Sequence, residues 1–305
     1  MQRFLARRIL TLAITLWVVS IIIFAMARAS GDPRGVLLSD YATPEEWEEM
    51  GRVLGLDKPL VTQYGLFIKD AVRFDFGESL IDNQSVMQVI LERLPATFQL
   101  AAAAFGFSIL VGVPLGVVSA VKRGKPIDYA SRTLALFGQS APPFALGIFL
   151  IFIFGVQLEW LPTFGRSGPS SIVLPAITLG GYFIAANVRL VRSAMLDVLD
   201  SEYIKLARAK GVSSNNVIWK HALKNAVLPL LTFSGITLGI LITGALVTET
   251  VFAWPGLGRL AVTAVFTIDY PLLQGVVIVF TLMYCIASLM VDVAYAYIDP
   301  RIRYS

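Results

Sequence analysis

The stretch Thr97–Val121, TFQLAAAAFGFSILVGVPLGVVSAV, decides the fold. It holds no charged side chain, and its apolar residues run continuously instead of marking one helical face. A hydrocarbon layer of ~30 Å takes roughly 20 such residues as a helix. Working outward, five further runs have similar length and character: Ile9–Ala27, Thr133–Val156, Ile172–Met195, Leu228–Val247 and Leu273–Tyr295. The chain of 305 residues is 56% hydrophobic and 15% charged, against about a quarter charged in ordinary soluble domains. The expectation is an all-α polytopic membrane protein with six transmembrane helices.

The first run follows Arg3, Arg7 and Arg8, as a secretory signal would. Its length and the poor cleavage sequence Ala27-Arg28-Ala29-Ser30 favour an uncleaved anchor. Lys and Arg set orientation, because they are retained on the cytosolic side. With the N-terminus inside, that side carries Arg3, Arg7, Arg8, Lys122, Arg123, Lys125, Arg132, Arg189, Arg192, Lys205, Arg208, Lys210, Lys220, Lys224, Arg301 and Arg303. The opposite side carries most of the Asp and Glu. Six spans with both termini cytosolic satisfy this distribution; an odd number would export Arg301 and Arg303.

The chain then divides into a tail and first helix (1–27), an extracytoplasmic segment (28–94) and a five-helix core (95–305) with a cytosolic loop at 197–229. Within the outer segment, Pro44 at a first helical position and the acids Glu45, Glu46, Glu48 and Glu49 suit a short amphipathic helix. Tyr64–Ile68 suits a second. The acidic surplus fits either solvation of the outer face or an entry vestibule.

Inside the membrane, Gly112–Gly116 and Gly235–Gly239 are small-xxx-small patterns that let helix backbones approach. Ala141-Pro142-Pro143-Phe144 interrupts the third run, since proline removes a helical hydrogen bond. Such a break fits a pathway lining or a plain packing kink. Gln139, Ser140, Pro142, Pro143 and Phe144 are its candidate residues. Mid-span charge is nearly absent, which disfavours a proton-driven carrier with a buried relay. Arg189 and Arg192 lie near a span end, where they can snorkel or meet a partner.

The lone His221 and lone Cys285 exclude disulfides, His-Glu-x-x-His metalloprotease chemistry and a Ser–His pair inside the membrane. No G-x-x-x-x-G-K-[ST] loop occurs, so the chain should bind neither ATP nor Mg itself. The loop itself reads helix–Gly–helix. Ser201–Lys210 is good helix sequence and Gly211 suits its C-terminal cap. Ser213 or Ser214 can cap a second helix reaching about Lys224, and Pro229 marks entry to the fifth run. Apolar Ile204, Leu206, Val212, Val217, Ile218 and Trp219 lie among cations. From the residues alone, this fits equally a docking surface and a basic hairpin on anionic lipid.

Glu202-Tyr203-Ile204-Lys205-Leu206-Ala207-Arg208-Ala209-Lys210-Gly211 and His221–Pro229 resemble the EAA loop of ABC-importer permeases, in the version of the oligopeptide/dipeptide branch. Lys205-Leu206-Ala207 stands where the general pattern has Glu-Ala-Ala, a departure usual in that branch. Leu54–Leu60, Asp75–Ser79, Arg93–Thr97, Ser140–Phe144, Trp160–Pro162, Glu249–Arg259, Asp269–Pro271 and Asp299–Tyr304 are similar to the "B"-type subunit, so the resemblance spans nearly the whole chain.

The resemblance implies a type I importer permease in a bacterial inner membrane, forming half of a path for dipeptides or oligopeptides. It implies a homologous "C"-type permease, two ATPases that bind ATP and Mg, and an extracytoplasmic substrate-binding protein. Nucleic acid has no place in it. The coupling residues it implies are Glu202, Ala207, Arg208, Ala209, Lys210, Gly211, Val212, Val217, Ile218, His221, Asn225 and Pro229. Val212, Val217 or Ile218 are the expected apolar anchors, with cations setting orientation. Trp254-Pro255-Gly256 is turn-rich and fits either an outer gate or a structural lid. Among ABC peptide permeases the cargo varies, so glutathione and nickel chelates stay open as substrates.

Overall fold

The computed structural model describes residues 2–38 and 41–298. The terminal Asp299–Tyr304 motif, with Arg301 and Arg303, lies outside the described residues. Among those described, the chain is mostly helical, with one isolated bridge between Glu78 and Ser85. The principal helices are α1 (Gln2–Ala29), α2 (Pro44–Val53), α3 (Leu60–Ala71), α4 (Val86–Val121), α5 (Pro126–Ser140), α6 (Pro143–Leu150), α7 (Val173–Leu199), α8 (Glu202–Ala209), α9 (Leu228–Gly244), α10 (Leu246–Val251), α11 (Leu257–Phe266) and α12 (Tyr270–Ile298).

Among the described residues, four helices are long and apolar enough to cross a membrane: Ala6–Ala29 of α1, α4, Pro169–Leu199 including α7, and Tyr270–Met290 of α12. A fifth crossing needs the segment Ser214–Ala226 joined to α9 through a 47° bend. The expected third span, Thr133–Val156, is not one helix. Helix α5 ends at Ser140, Ala141 and Pro142 are extended (ψ 137° and 138°), and α6 restarts with Pro143 at its first position. The cause is local: a residue before proline is pushed out of the helical region, and Pro142-Pro143 applies that rule twice. From α6 the chain passes into a π-helical turn, Ile151–Gln157. The six runs therefore do not become six continuous helices.

Helix α4 starts at Val86, not at Thr97, and reaches 36 residues. The polar Gln88, Glu92 and Arg93 broke the apolar run without breaking the helix. Pro95 and Pro114 lie within it. Helix α2 forms where Thr43-Pro44 predicts it, closed by a capping box between Thr43 and Glu46.

Among the described residues, the three largest core clusters follow one another along the bundle. At one end Phe76, Val86, Ile90, Leu257, Leu272 and Val276 pack together. Leu100, Ala104, Phe183, Leu241, Ala245 and Trp254 fill the middle. At the other end Val117, Val191, Met195, Ile204, Val217 and Leu230 bury the loop against the helices. The α4–α7 contact is the tightest. A Cβ on Gly112 would sit 2.7 Å from Asn187 Cβ, and one on Gly180 2.4 Å from the Ala104 carbonyl oxygen. The Gly112–Gly116 pattern thus serves close helix approach.

Candidate functional site

The loop after α7 begins with α8, whose end is a Schellman motif. Gly211 takes φ 77°, Val212 N–H donates to the Ala207 carbonyl (3.2 Å) and Gly211 N–H to that of Arg208 (3.0 Å). This turns the chain sharply into Ser214–Ala226, which runs through a π-helical stretch at Val217–Ala222. Ser213 stands at the N-cap position, but its side chain makes no capping bond. Pro229 opens α9 in its first turn.

Burial sorts the loop residues into two faces. Ile204, Val217, Ala222 and Ala226 are buried in the bundle's own core. Val217 therefore anchors the loop to this chain and is not free to anchor a partner. The period of the segment explains it: Val217, Ala222 and Ala226 follow one inward stripe. Val212, Ile218, Ala207 and His221 are half-buried. Glu202, Arg208, Ala209, Lys210, Gly211, Asn225 and Pro229 are exposed. Large apolar side chains exposed on this surface include Tyr203, Leu206 and Trp219, with Leu228 at the entry to α9. Asn225 Nδ2 donates to Tyr203 Oη at 2.8 Å, tying the two arms of the loop together.

A charge hub underlies this end. Asp128, almost fully buried, accepts Arg192 Nε (3.1 Å) and Nη2 (3.0 Å), Ser119 Oγ (2.5 Å) and Gly124 N–H (3.0 Å). Arg132 Nε lies 3.2 Å away. The Arg192 fork, then the Ser119 hydroxyl, hold the Asp128 carboxyl well below the usual carboxylate range. The hub joins α4, α5 and α7. Arg192 thus meets a partner within the chain, while Arg189 Nη1 donates to Gln139 Oε1 at 3.0 Å. At the α5–α6 break, Gln139 is half-buried, Phe144 is half exposed, and Ser140 Oγ donates back to the Leu136 carbonyl.

The Glu249–Arg259 sequence forms a closed lock. Glu249 is fully buried, and its carboxylate receives Thr97 Oγ1–H (2.8 Å) and the Arg259 N–H (3.1 Å) at the start of α11. Thr97 in turn accepts the Leu257 N–H (2.8 Å). A carboxylate at a helix N-terminus meets both free N–H groups and the favourable dipole end. Trp254 is fully buried and its indole N–H donates to the Ala96 carbonyl at 2.8 Å. Pro255 is half-buried and Gly256 buried. A Cβ on Gly256 would come within 2.2 Å of Glu249 Oε1, and one on Gly258 within 2.5 Å of Leu246 Cα. The two glycines make room for the carboxylate. From the residues alone this stretch reads as turn-rich; the role of Glu249, an acid five positions before Trp254-Pro255-Gly256, comes only from its packing against Thr97.

A second polar tie holds residues 75–85 to the bundle. Buried Asp269 accepts Ser79 Oγ (2.6 Å), Leu80 N–H (3.1 Å) and Leu272 N–H (3.1 Å), so it caps α12 and pins the preceding segment. Among the described residues, no group of three or more His, Cys, Asp and Glu side chains converges on a metal position.

A bundle of long apolar helices with a folded, partly apolar loop surface has the form of a membrane transport subunit. The chain belongs to the family of binding-protein-dependent transport system inner membrane components, whose model matches residues 112–304; the model of that family's N-terminal part matches residues 1–101. It is 40% identical over 305 residues to the glutathione transport system permease protein GsiC of Shigella flexneri serotype 5b (strain 8401), covering all of both chains. It is 39% identical, again over all of both, to the GsiC of Escherichia coli (strain K12).

An inward-facing structure of the MetNI methionine ABC transporter aligns with TM-score 0.59 at 18% identity, over 70% of this chain and 97% of that one. An amino acid ABC transporter crystallised with histidines aligns with TM-score 0.52 at 15% identity, over 68% and 92%. These two likenesses concern the fold. The chain is an integral inner-membrane permease subunit of an ABC importer, with the helical importer-permease fold and without catalytic function of its own. The family implies a partner permease, ATPases and a substrate-binding protein.

Proposed function

We propose that this subunit forms half of the translocation path for small peptides of about glutathione size, and couples that path to cytosolic ATPases through the loop Glu202–Pro229. Full-length identity to glutathione permeases carries the reading of the cargo. Dipeptides and longer oligopeptides share the peptide backbone and termini that such a path handles. The homologous "C"-type subunit supplies the other half, an extracytoplasmic binding protein delivers the peptide, and the two ATPases hold ATP and Mg.

In this reading both termini and the loop are cytosolic, in line with the positive-inside distribution. The segment 28–94 then faces outward. Tyr203, Leu206 and Trp219 form the apolar contact, with Arg208 and Lys210 setting its orientation. The Schellman turn at Gly211 holds the two arms rigid, so ATPase closure is passed to α7 and α9 as a push. Beyond the α5–α6 break, Pro142, Pro143 and Phe144 line the path, while Gln139 is held by Arg189 at the mouth of the α5–α7 groove. The Trp254-Pro255-Gly256 lock does not itself touch cargo; it fixes α10 and α11 to α4 as one moving block.

The test is uptake of labelled glutathione, dialanine and a pentapeptide into proteoliposomes holding the complete complex. The double substitution L206E/W219E should abolish ATP-driven uptake and ATPase recruitment while leaving membrane insertion intact. Undiminished uptake would refute the coupling surface. Uptake of none of the three peptides by the unaltered complex would refute the cargo class.

A further inference from the structure

A groove of about 400 Å³ runs between α5 and α7, apart from the loop surface and from the Glu249 lock. Its walls are apolar, with Leu136, Ala185 and Val188 among them. Its polar rim is Tyr129, Arg132 and Arg189. The Arg132 guanidinium stacks 4.9 Å over the Tyr129 ring, which fixes its plane. Its Nε is buried and, although 3.2 Å from Asp128, has no hydrogen-bond partner. Asp128 is already engaged by the Arg192 fork. Arg189 is exposed and, among the described residues, donates to the uncharged Gln139. Among the described residues, then, one carboxylate stands against Arg132 and Arg192, and Arg189 has no carboxylate at all. The rim carries uncompensated positive charge directly above an apolar trough.

The geometry points to a binding site for an anionic phospholipid, its phosphate held between Arg132 and Arg189 and its upper acyl chain lying along Leu136 and Val188. Guanidinium forks match phosphate oxygens in pairs. Basic pockets between membrane helices take anionic head groups, and each cation adds to the preference. A free phosphate would use the rim and leave the trough empty. A zwitterionic lipid would use the trough and gain little from the rim. Tyr129 and Leu136, which line the trough, are exposed, so it stands open for a lipid to enter. The bound lipid would also neutralise the arginines beside the Asp128 hub, so it would steady the junction of α4, α5 and α7.

The complete transporter complex, stripped of lipid in detergent, should be titrated with phosphatidylglycerol or phosphatidylcholine of equal chain length and read by native mass spectrometry. The expected result is retention of phosphatidylglycerol over phosphatidylcholine by about tenfold or more, from two cations. In R189Q this preference should fall severalfold, and in R132Q/R189Q it should vanish while the complex stays assembled. L136W, which fills the trough and keeps both charges, should reduce retention of phosphatidylglycerol without altering assembly. Equal retention of the two lipids by the unaltered complex would overturn the site. So would a preference surviving R132Q/R189Q, competition by glycerol phosphate at the lipid's own concentration, or a cross-linker at position 136 that reaches the partner permease instead of lipid. If the arginine pair unfolded the complex, R189K would decide: it should stay assembled and lose part of the preference, because a point charge replaces the fork.

Discussion

Replacing Asp128 with Asn tests the charge hub directly. The aspartate carboxylate accepts four hydrogen bonds and stands within 3.2 Å of a second guanidinium. Asn keeps one acceptor oxygen but turns an NH2 group toward a donor, and it removes the carboxylate that opposes Arg132 and Arg192. Breaking a buried pair by deleting one partner costs about 3–5 kcal/mol. The Arg192 side chain is 21% exposed and can rehydrate in part, which places D128N near the lower end, about 3 kcal/mol. For a chain of this size each kcal/mol moves the midpoint by about 2 °C, so the apparent Tm in detergent should fall by roughly 6 °C.

The pH dependence has a definite sign. The folded carboxyl titrates below its ordinary value of about 3.9, so its stabilisation is fully present above that value and is lost as pH falls toward the folded pKa. The difference in Tm between the natural protein and D128N should be constant from neutrality to about pH 5 and shrink below pH 4. A double-mutant cycle with R192Q should give strong coupling, with the second substitution costing far less than the first. A Tm unchanged in D128N, or additive effects of the two substitutions, would refute the hub.

Gly256→Ala should destabilise the lock by about 1–3 kcal/mol, since the added Cβ meets a carboxylate that Thr97 holds in place; a thermal midpoint equal to the natural protein's would contradict the packing. Trp254→Phe keeps most of the ring and loses the bond to the Ala96 carbonyl, for a cost of about 1 kcal/mol measurable in the same melt. Gly211→Ala meets no neighbour but is forced to φ 77°, so it should cost about 1 kcal/mol and loosen the turn, seen as faster amide exchange across Ala207–Val212. Ser79→Ala should free the segment around Leu80 to protease while leaving α12 folded, because Leu272 N–H still caps on Asp269; unchanged cleavage would deny the tie.

The long apolar runs by themselves determine that this chain is a helical membrane protein, because ~20 residues without charge have no other stable use. The helix start at Pro44, the turn at Gly211 and the break at Pro142-Pro143 were legible for the same reason: each follows from neighbouring backbone chemistry. The loop sequence, together with motifs spread along most of the chain, also identified the family. Tertiary structure alone decided which loop residues face outward, since Val217 and Leu206 are equally apolar and only the position of the core separates them. It alone brought Asp128 to Arg192, Glu249 to Thr97 and Asp269 to Ser79. Those partners lie from dozens to nearly two hundred positions apart. Hydrophobic burial depends on composition over a window and is visible in one dimension; the pairing of buried polar groups depends on which helices meet, and is not.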